Sequence, residues 1–541
     1  MNNNNEVLIV GAGPTGMLLA LLLERYNVSF RIIDKRISSA SGSKALTINP
    51  LSLIILNNLG LDKSVIRKGH ETNKLNIYLD NKKIFNVNMS RLDSASPYYL
   101  MLPQPETEQV LCDALIDNDY EIEYGTCLND LVGNDEYVSV ETVDKNKITS
   151  IDNYKYVVGC DGSHSVTRRI LNHDFIGHDY DMHFVLADLK IKWNKPLDQG
   201  HYFTTEKGFI IILPLGGGYH RIVANKHGKH VSESCPDIDT FKYLIDEYNI
   251  ADLTISDLIW SSSSPFYNRL AEKYASNRVY LAGDACHSFS PLGGFGMNTG
   301  FGDVFNLAWK LYYCLKSVSK HDILDSYETE RRMIALRLIQ QTDLSTSLIA
   351  RLDRHSIDDE LKWLPLMSNR KHIQNTMYSG SGLSQHYNKA NELIFKNELK
   401  VNCLLPFIHD INTLSETGGA FSGKHSSIFF LTKEVLYTDI LGKITSLFKS
   451  YRRYMQLIII TDFVTDNIDA DIQVIVDESR SIETKYNVTN GSTILLRPDL
   501  YVEYLTLGHH CLDSLSNYIN KKYDFSNVNN KSMVHSEYEY S

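Results

Sequence analysis

Paired cysteines are missing from this chain. None of its eight cysteines (112, 127, 160, 235, 286, 314, 403 and 511) forms a CxxC pair or joins a Cys/His cluster of zinc spacing. A disulfide framework, a zinc module and dithiol exchange are therefore not expected, and no metal site is assigned. The cysteines read as reduced thiols of a cytoplasmic protein. Basic charge is also short: 54 Lys and Arg against 65 Asp and Glu leave a formal charge of −11. That balance argues against a nucleic-acid surface, which needs clustered cations for its phosphate contacts. Long apolar runs are lacking too. The most apolar stretch, MLLALLL at 17–23, is well short of the ~20 residues that span a bilayer. The start, MNNNNEV, has no basic region before an apolar one, so no secretory signal and no membrane partner are expected.

What the chain has is length and well-placed glycine. At 541 residues it is too long for one ordinary core, and about 150 residues per domain suggests two to four. The opening reads as strand, glycine turn, helix and strand (EVLIVG, MLLALLLERYN, SFRIID), a βαβ unit that starts a parallel sheet. Strand-like runs return at YKYVVGCD (154–161) and RVYLAGD (278–284), with alternating, aromatic-rich segments such as HYFTTEKGFIIILPL between them. The expected class is α/β: a Rossmann-like domain over 1–178, a β-rich insertion over 179–275, and a return to the first domain with a helical linker over 276–400. Short strands near 75–100 are candidates for the inserted domain. A charged helical stretch, LDSYETERRMIALRLIQQ, leads to a polar junction at MYSGSGLSQHY. From 401 to 541, SSIFFL, QLIIIT, IQVIVD and STILLRP, followed by the helical CLDSLSNYINKKY, predict a small α/β domain.

Gly11-Ala-Gly13-Pro14-Thr15-Gly16 lies between strand and helix, and Asp34 stands eighteen residues after Gly16 at the end of the second strand. In that context GxGxxG is a dinucleotide fingerprint: Gly11 for the turn, Gly13 for close approach of a pyrophosphate, Gly16 for helix-strand packing. Asp34, with Lys35 beside it, would accept from an adenosine ribose and repel a 2′-phosphate, which points to FAD or NAD at this site rather than NADP. Five glycines between Gly293 and Gly302 follow LAGDACHSFSP. They are read as backbone cleared of Cβ atoms where a flat ligand lies, ahead of a helix beginning near Asn298.

Together, GAGPTG, YKYVVGCDGSHSVTRRIL and RVYLAGDACHSFSPLGGFGMNTGFGD resemble the three signatures of the single-component FAD-dependent aromatic hydroxylases. That group contains p-hydroxybenzoate and phenol hydroxylases. The resemblance implies bound FAD, NADPH or NADH as co-substrate, and O2 delivered as one oxygen atom to an aromatic ring through a flavin C4a-hydroperoxide. It makes Asp284 the ligand of the ribityl chain, against the plainer reading of a turn aspartate. Gly296, Met297 and Asn298 would lie along the flavin ring, and the backbone of Pro291, Gly293 and Gly294 would form its C4a environment. Asp161 and Arg168 would organise the nicotinamide face, and Gln104, in YYLMLPQPETEQVL, would bind FAD. Lys44 stands where the family usually has arginine, and lysine keeps the charge but not the fork.

The later chain, most closely at STILLRPDLYVEYL, resembles the C-terminal thioredoxin-like domain of the phenol-hydroxylase and polyketide-hydroxylase branch. Without a CxxC, its expected role is packing or a homodimer contact. The aromatic substrate is expected over the inserted sheet, with Tyr202 and Arg221 as candidate contacts. Three other outcomes stay open on the same fold: Baeyer-Villiger oxidation, epoxidation, and flavin binding without turnover. Halogenation is disfavoured, because tryptophans 193, 260, 309 and 363 never form WxWxIP.

Overall fold

The computed structural model describes residues 5–38, 42, 45–205, 208–226, 235–289, 293–320, 322–352, 379–387, 399–406, 408–414, 421–432, 439–463, 469, 471–508 and 512–525. Lys44, Pro291 and Cys511 lie outside these residues. The chain forms a mixed α/β structure. Its first strand, Val7–Val10, is buried at every position, as an interior strand covered on both faces must be. It pairs in parallel with Phe30–Asp34 on one side and Tyr156–Gly159 on the other. Glu123–Tyr124 extends one flank and Val279–Leu281 the other, also in parallel, and Ala275–Ser276 closes an edge antiparallel. The parallel strands therefore stand in the order fifth, fourth, first, second, third. The order reverses between Val7–Val10 and Tyr156–Gly159, and the crevice at such a reversal is where open α/β sheets take ligands.

The second large sheet has eight strands, ordered His287–Ser288, Thr254–Ala271, Phe175–Lys192, Tyr219–Lys226, Gly208–Gly216, Gly200–Thr205, Lys74–Leu79 and Lys82–Asn88. It thus draws on residues 74–88 as well as on the later β-rich segment. One face packs Val185, Ala187, Phe203, Ile210 and Ile222 against the helix Ile238–Glu247. The other carries Phe184, Leu186, Phe209 and Val223, with Tyr202, Ile211 and Trp260 beside them.

The last unit is a five-stranded sheet. His425–Leu431, Met455–Thr461 and Ile472–Val476 run parallel, and Thr493–Leu496 and Val502–Thr506 pair antiparallel on the far side of His425–Leu431. The helix Asp439–Tyr451 connects the first two strands, and Leu512–Lys522 follows the last. This sheet is seated on the helix Phe295–Leu315, whose Trp309 and Tyr313 are buried with Phe429, Tyr454, Tyr523 and Phe525. Among the described residues no helix is long and apolar enough to cross a membrane.

Candidate cofactor site

Two helix starts meet at the crevice. The helix Pro14–Arg25 begins at Gly13, and Phe295–Leu315 begins at Gly294, which holds a left-handed φ of 64°; neither has a side-chain cap. Their first N–H groups and positive dipole ends are thus left for an anionic ligand. A Cβ on Gly13 would meet nothing within 4 Å, and one on Gly296 would meet only Asp284 Oδ1, at 3.7 Å. The other glycines are filled by protein. A Cβ on Gly11 would stand 2.4 Å from the Cys160 carbonyl oxygen, and one on Gly16 1.9 Å from that of Gly11. A Cβ on Gly300 would lie 2.5 Å from Thr15 Oγ1, one on Gly283 2.7 Å from the same atom, and one on Gly302 2.6 Å from an Arg331 nitrogen. The late glycine run is therefore mostly a packing device that lets Thr15 and Arg331 in, and Gly296 is its open position. The helix starts at Phe295, three residues before the expected Asn298, because Gly294 makes the turn into it.

Asn298 sits inside the first helical turns with a fully engaged side chain. It donates to the carbonyls of Thr47 (2.8 Å) and Gly294 (2.6 Å), and accepts from Asn49 N–H (2.9 Å) and Ser52 Oγ (2.7 Å). It fastens the glycine turn to the 47–52 segment. Met297 is buried beside it.

The turn Gly283–Ala285 carries Asp284, exposed, next to this helix start. Three elements hold the turn. Arg168, buried and stacked 3.9 Å from the Phe175 ring centroid, donates to the Ala285 carbonyl at 2.6 Å and to the Ser163 carbonyl at 2.9 Å. Asp161 caps the short helix that presents Arg168, accepting from Ser165 Oγ (2.5 Å) and from Thr167 N–H (3.0 Å). Asp303 accepts from Gly283 N–H at 3.1 Å, lies 2.6 Å from His287 Nε2, and accepts from Arg331 Nε at 2.9 Å. Burial alone would raise the Asp303 carboxyl, but His287 and Arg331 outweigh it and hold it below the usual range. Cys286, His287 and Asp303 offer ligand atoms within 4.8 Å of one another. The carboxylate is already used three times, and burial followed by the Asp303 charge pushes the Cys286 thiol well up. The group works as a clamp on the turn.

At the other end of the crevice, Asp34 accepts from Ala12 N–H (2.8 Å) and from Arg36 through its backbone and guanidinium (2.8–3.1 Å). Arg36 also donates to the Ala12 carbonyl at 2.9 Å and approaches buried Glu108 at 3.5 Å. Gln104 donates to Glu108 at 2.8 Å and accepts from Ala45 N–H at 3.2 Å. Asp34 and Gln104 thus belong to one chain of contacts joined by Arg36 and Glu108, neither of which the sequence singles out. Lys35 is exposed beside them.

Tyr202 and Arg221 are on the eight-stranded sheet. Tyr202 stacks on Phe209 with centroids 5.8 Å apart. Arg221 is buried in a two-pronged pair with Asp188, both distances 2.7 Å, with its guanidinium 4.9 Å from the Trp260 ring centroid.

The residues fit FAD: two uncapped helix starts for its phosphates and ring, two glycines open on that side, and an exposed acid between them. Comparison with known proteins agrees. Residues 4–342 match the family model described as FAD binding domain. A 353-residue stretch is 30% identical to 6-methylpretetramide 4-monooxygenase of Streptomyces rimosus, covering 64% of this chain and 62% of that protein. Pentachlorophenol 4-monooxygenase of Sphingobium chlorophenolicum is 30% identical over 348 residues, 63% of this chain and 64% of that protein. The matched stretch thus spans just under two thirds of these two relatives. The fold is that of the anhydrotetracycline hydroxylase OxyS from Streptomyces rimosus, with a TM-score of 0.75 at 22% identity over 96% of this chain and 99% of the other. The chain belongs to the FAD binding domain family, and the relatives it matches carry monooxygenase names.

Proposed function

We propose that this chain is an FAD-dependent monooxygenase that consumes NADPH or NADH and O2 and hydroxylates a phenolic or polyketide-like aromatic ring. The observation that carries the reading is the pair of uncapped helix starts packed beside each other, Thr15 of one against Gly300 of the other, with Gly13 and Gly296 left open. FAD, when bound, supplies hydride acceptance and oxygen activation. The chain binds and orients. The start at Pro14 would receive the pyrophosphate, and the start at Phe295 would turn its positive end, of about half a charge, towards the ring. Asp284 accepts from the ribityl hydroxyls. Asp161 and Arg168 would organise the nicotinamide side, and Gly293 and Gly294 would supply backbone beside the ring. The aromatic side of the eight-stranded sheet, with Tyr202, Phe209 and Trp260, receives the substrate. Asp188 neutralises Arg221 there, which suits a substrate without a carboxylate to be anchored.

The five-stranded unit is read as thioredoxin-like. Its β-α-β start and β-β-α finish support that reading, and its buried Cys403 suits a packing or homodimer role. The acidic balance and reduced thiols suit a cytoplasmic enzyme that has no nucleic-acid or membrane partner. The test is oxygen and NAD(P)H consumption by the purified protein against a panel of phenols and polycyclic aromatics, with product masses. A product heavier by one oxygen atom is expected. In anaerobic stopped flow a true substrate should accelerate flavin reduction at least tenfold, because it favours the reducible arrangement. Equal rates with and without every compound would leave a simple oxidase or a flavin sensor.

A further inference from the structure

A buried polar stripe runs along one side of the helix Phe295–Leu315: Asp303, Asn306 and Lys310, three and four residues apart and each at most 1% exposed. Two consecutive residues of the helix Asp325–Leu352 grip it. Arg331 holds Asp303, and through it the Gly283 N–H beside Asp284. Glu330 accepts from Lys310 at 2.7 Å and from Asn306 at 2.8 Å. One turn earlier, Tyr327 donates to the Leu281 carbonyl at 2.7 Å, just ahead of the same turn. The C-terminal unit completes the cluster. Arg497 donates to both oxygens of Glu330 (2.6 and 3.1 Å) and to Asp499, and Asn306 donates to Asp499 at 2.9 Å. Its guanidinium also lies 5.1–5.4 Å from the ring centroids of Trp309, Tyr387 and Tyr501. The six charged groups balance three against three, and among them Arg497 is the cation that Asp499 meets and one of two that Glu330 meets.

We propose that Arg497, though it belongs to the C-terminal unit, is a positioning residue for the flavin-binding turn, acting through Glu330 and its neighbour Arg331 on Asp303. Its removal leaves buried Asp499 and half-buried Glu330 with one cation fewer, and the helix turn that carries Tyr327 and Arg331 relaxes with them. The turn at Gly283–Asp284 then loses its setting, and FAD binds less tightly. The proposal rests on the cofactor site described above and extends it to a residue outside the matched family region.

The test uses the full chain and FAD itself, with the dissociation constant read from flavin fluorescence and the melting of the FAD-free protein recorded alongside. Arg497→Met should raise the constant at least fivefold. Arg497→Lys, which keeps the charge but not the fork, should raise it about threefold. Tyr486→Phe is the control: Tyr486 donates to Asp93 at 2.7 Å and to Asp410 at 2.9 Å, contacts of the C-terminal unit with segments other than the helix Asp325–Leu352. It should change the constant less than twofold. A smaller effect of Arg497→Met, or an equal one of Tyr486→Phe, overturns the proposal. If Arg497→Met does not fold, Arg497→Lys against Tyr486→Phe decides in the same way. A wild-type chain that binds no FAD overturns the cofactor site itself.

Discussion

At the scale of single residues, the glycines divide by what occupies the space their missing Cβ leaves. A Cβ on Gly296 would meet only Asp284 Oδ1, at 3.7 Å, and the proposed function places the flavin on this pair. Asp284→Ala should fold normally and lose most of its FAD. Loss of a charge-assisted hydrogen bond costs about 1.5 to 3 kcal/mol, or roughly 10- to 150-fold in affinity, read as flavin absorbance per protein; full occupancy would refute the assignment. Gly300 faces Thr15 instead, and Gly300→Ala should destabilise the protein by about 1 to 3 kcal/mol through overpacking. Thr15→Ala should recover part of that loss, because it removes the Oγ1 that stands 2.5 Å from the new methyl. A denaturation cycle over the four proteins measures the coupling, and simple additivity would show that the two sites are independent.

At the scale of elements, the helix Asp325–Leu352 reads in the sequence only as a charged helical stretch, yet Arg331 is 1% exposed and Glu330 is clasped by two cations. Desolvation would raise the Glu330 carboxyl, but Arg497 and then Lys310 hold it well below its ordinary 4.5. Burial meanwhile lowers Lys310 to about 8. A carboxyl depressed on folding stabilises the native state above its unfolded pKa, and that stability drains away as pH falls below about 4.5. Glu330→Gln should therefore lower the unfolding free energy from urea titration at pH 7, by about 3 kcal/mol for a broken, largely buried pair, and should flatten its decline between pH 5 and 3. A decline as steep as in the wild type would place the acid sensitivity elsewhere. The strands and the GAGPTG turn were legible because strand alternation, helix periodicity and turn chemistry act over a few residues. The Asp303–Arg331 and Glu330–Arg497 pairs, 28 and 167 residues apart, were not, because nothing local distinguishes a buried charge from an exposed one until its partner is known. The Asp at the end of the glycine run was the one available hint. For the same reason the use of Gly300 and Gly302 could not be read without Thr15 and Arg331 in place.

At the scale of the whole molecule, the C-terminal sheet is not an appendage. It covers Trp309 and Tyr313 on the helix whose opposite end starts the flavin site. A chain cut after residue 400 would leave these rings wet and Lys310 and Glu330 without Arg497. It should be recovered mainly as aggregate, or should retain FAD poorly if soluble, as gel filtration and flavin absorbance will show. Soluble, fully yellow protein would mean that the two units stand independently.

In the chain of contacts from Asp34 through Arg36 and Glu108 to Gln104, each carboxylate already has a donor from within the protein. A wall that needs no guest to satisfy it keeps its form when the guest leaves. On the proposed placement of FAD, the adenosine end of the crevice is a standing mould, and the turn at Asp284 is a latch set from the far side of the molecule. Flavin could be stripped and replaced by a modified one without refolding the protein, which makes this chain suited to reconstitution with altered flavins.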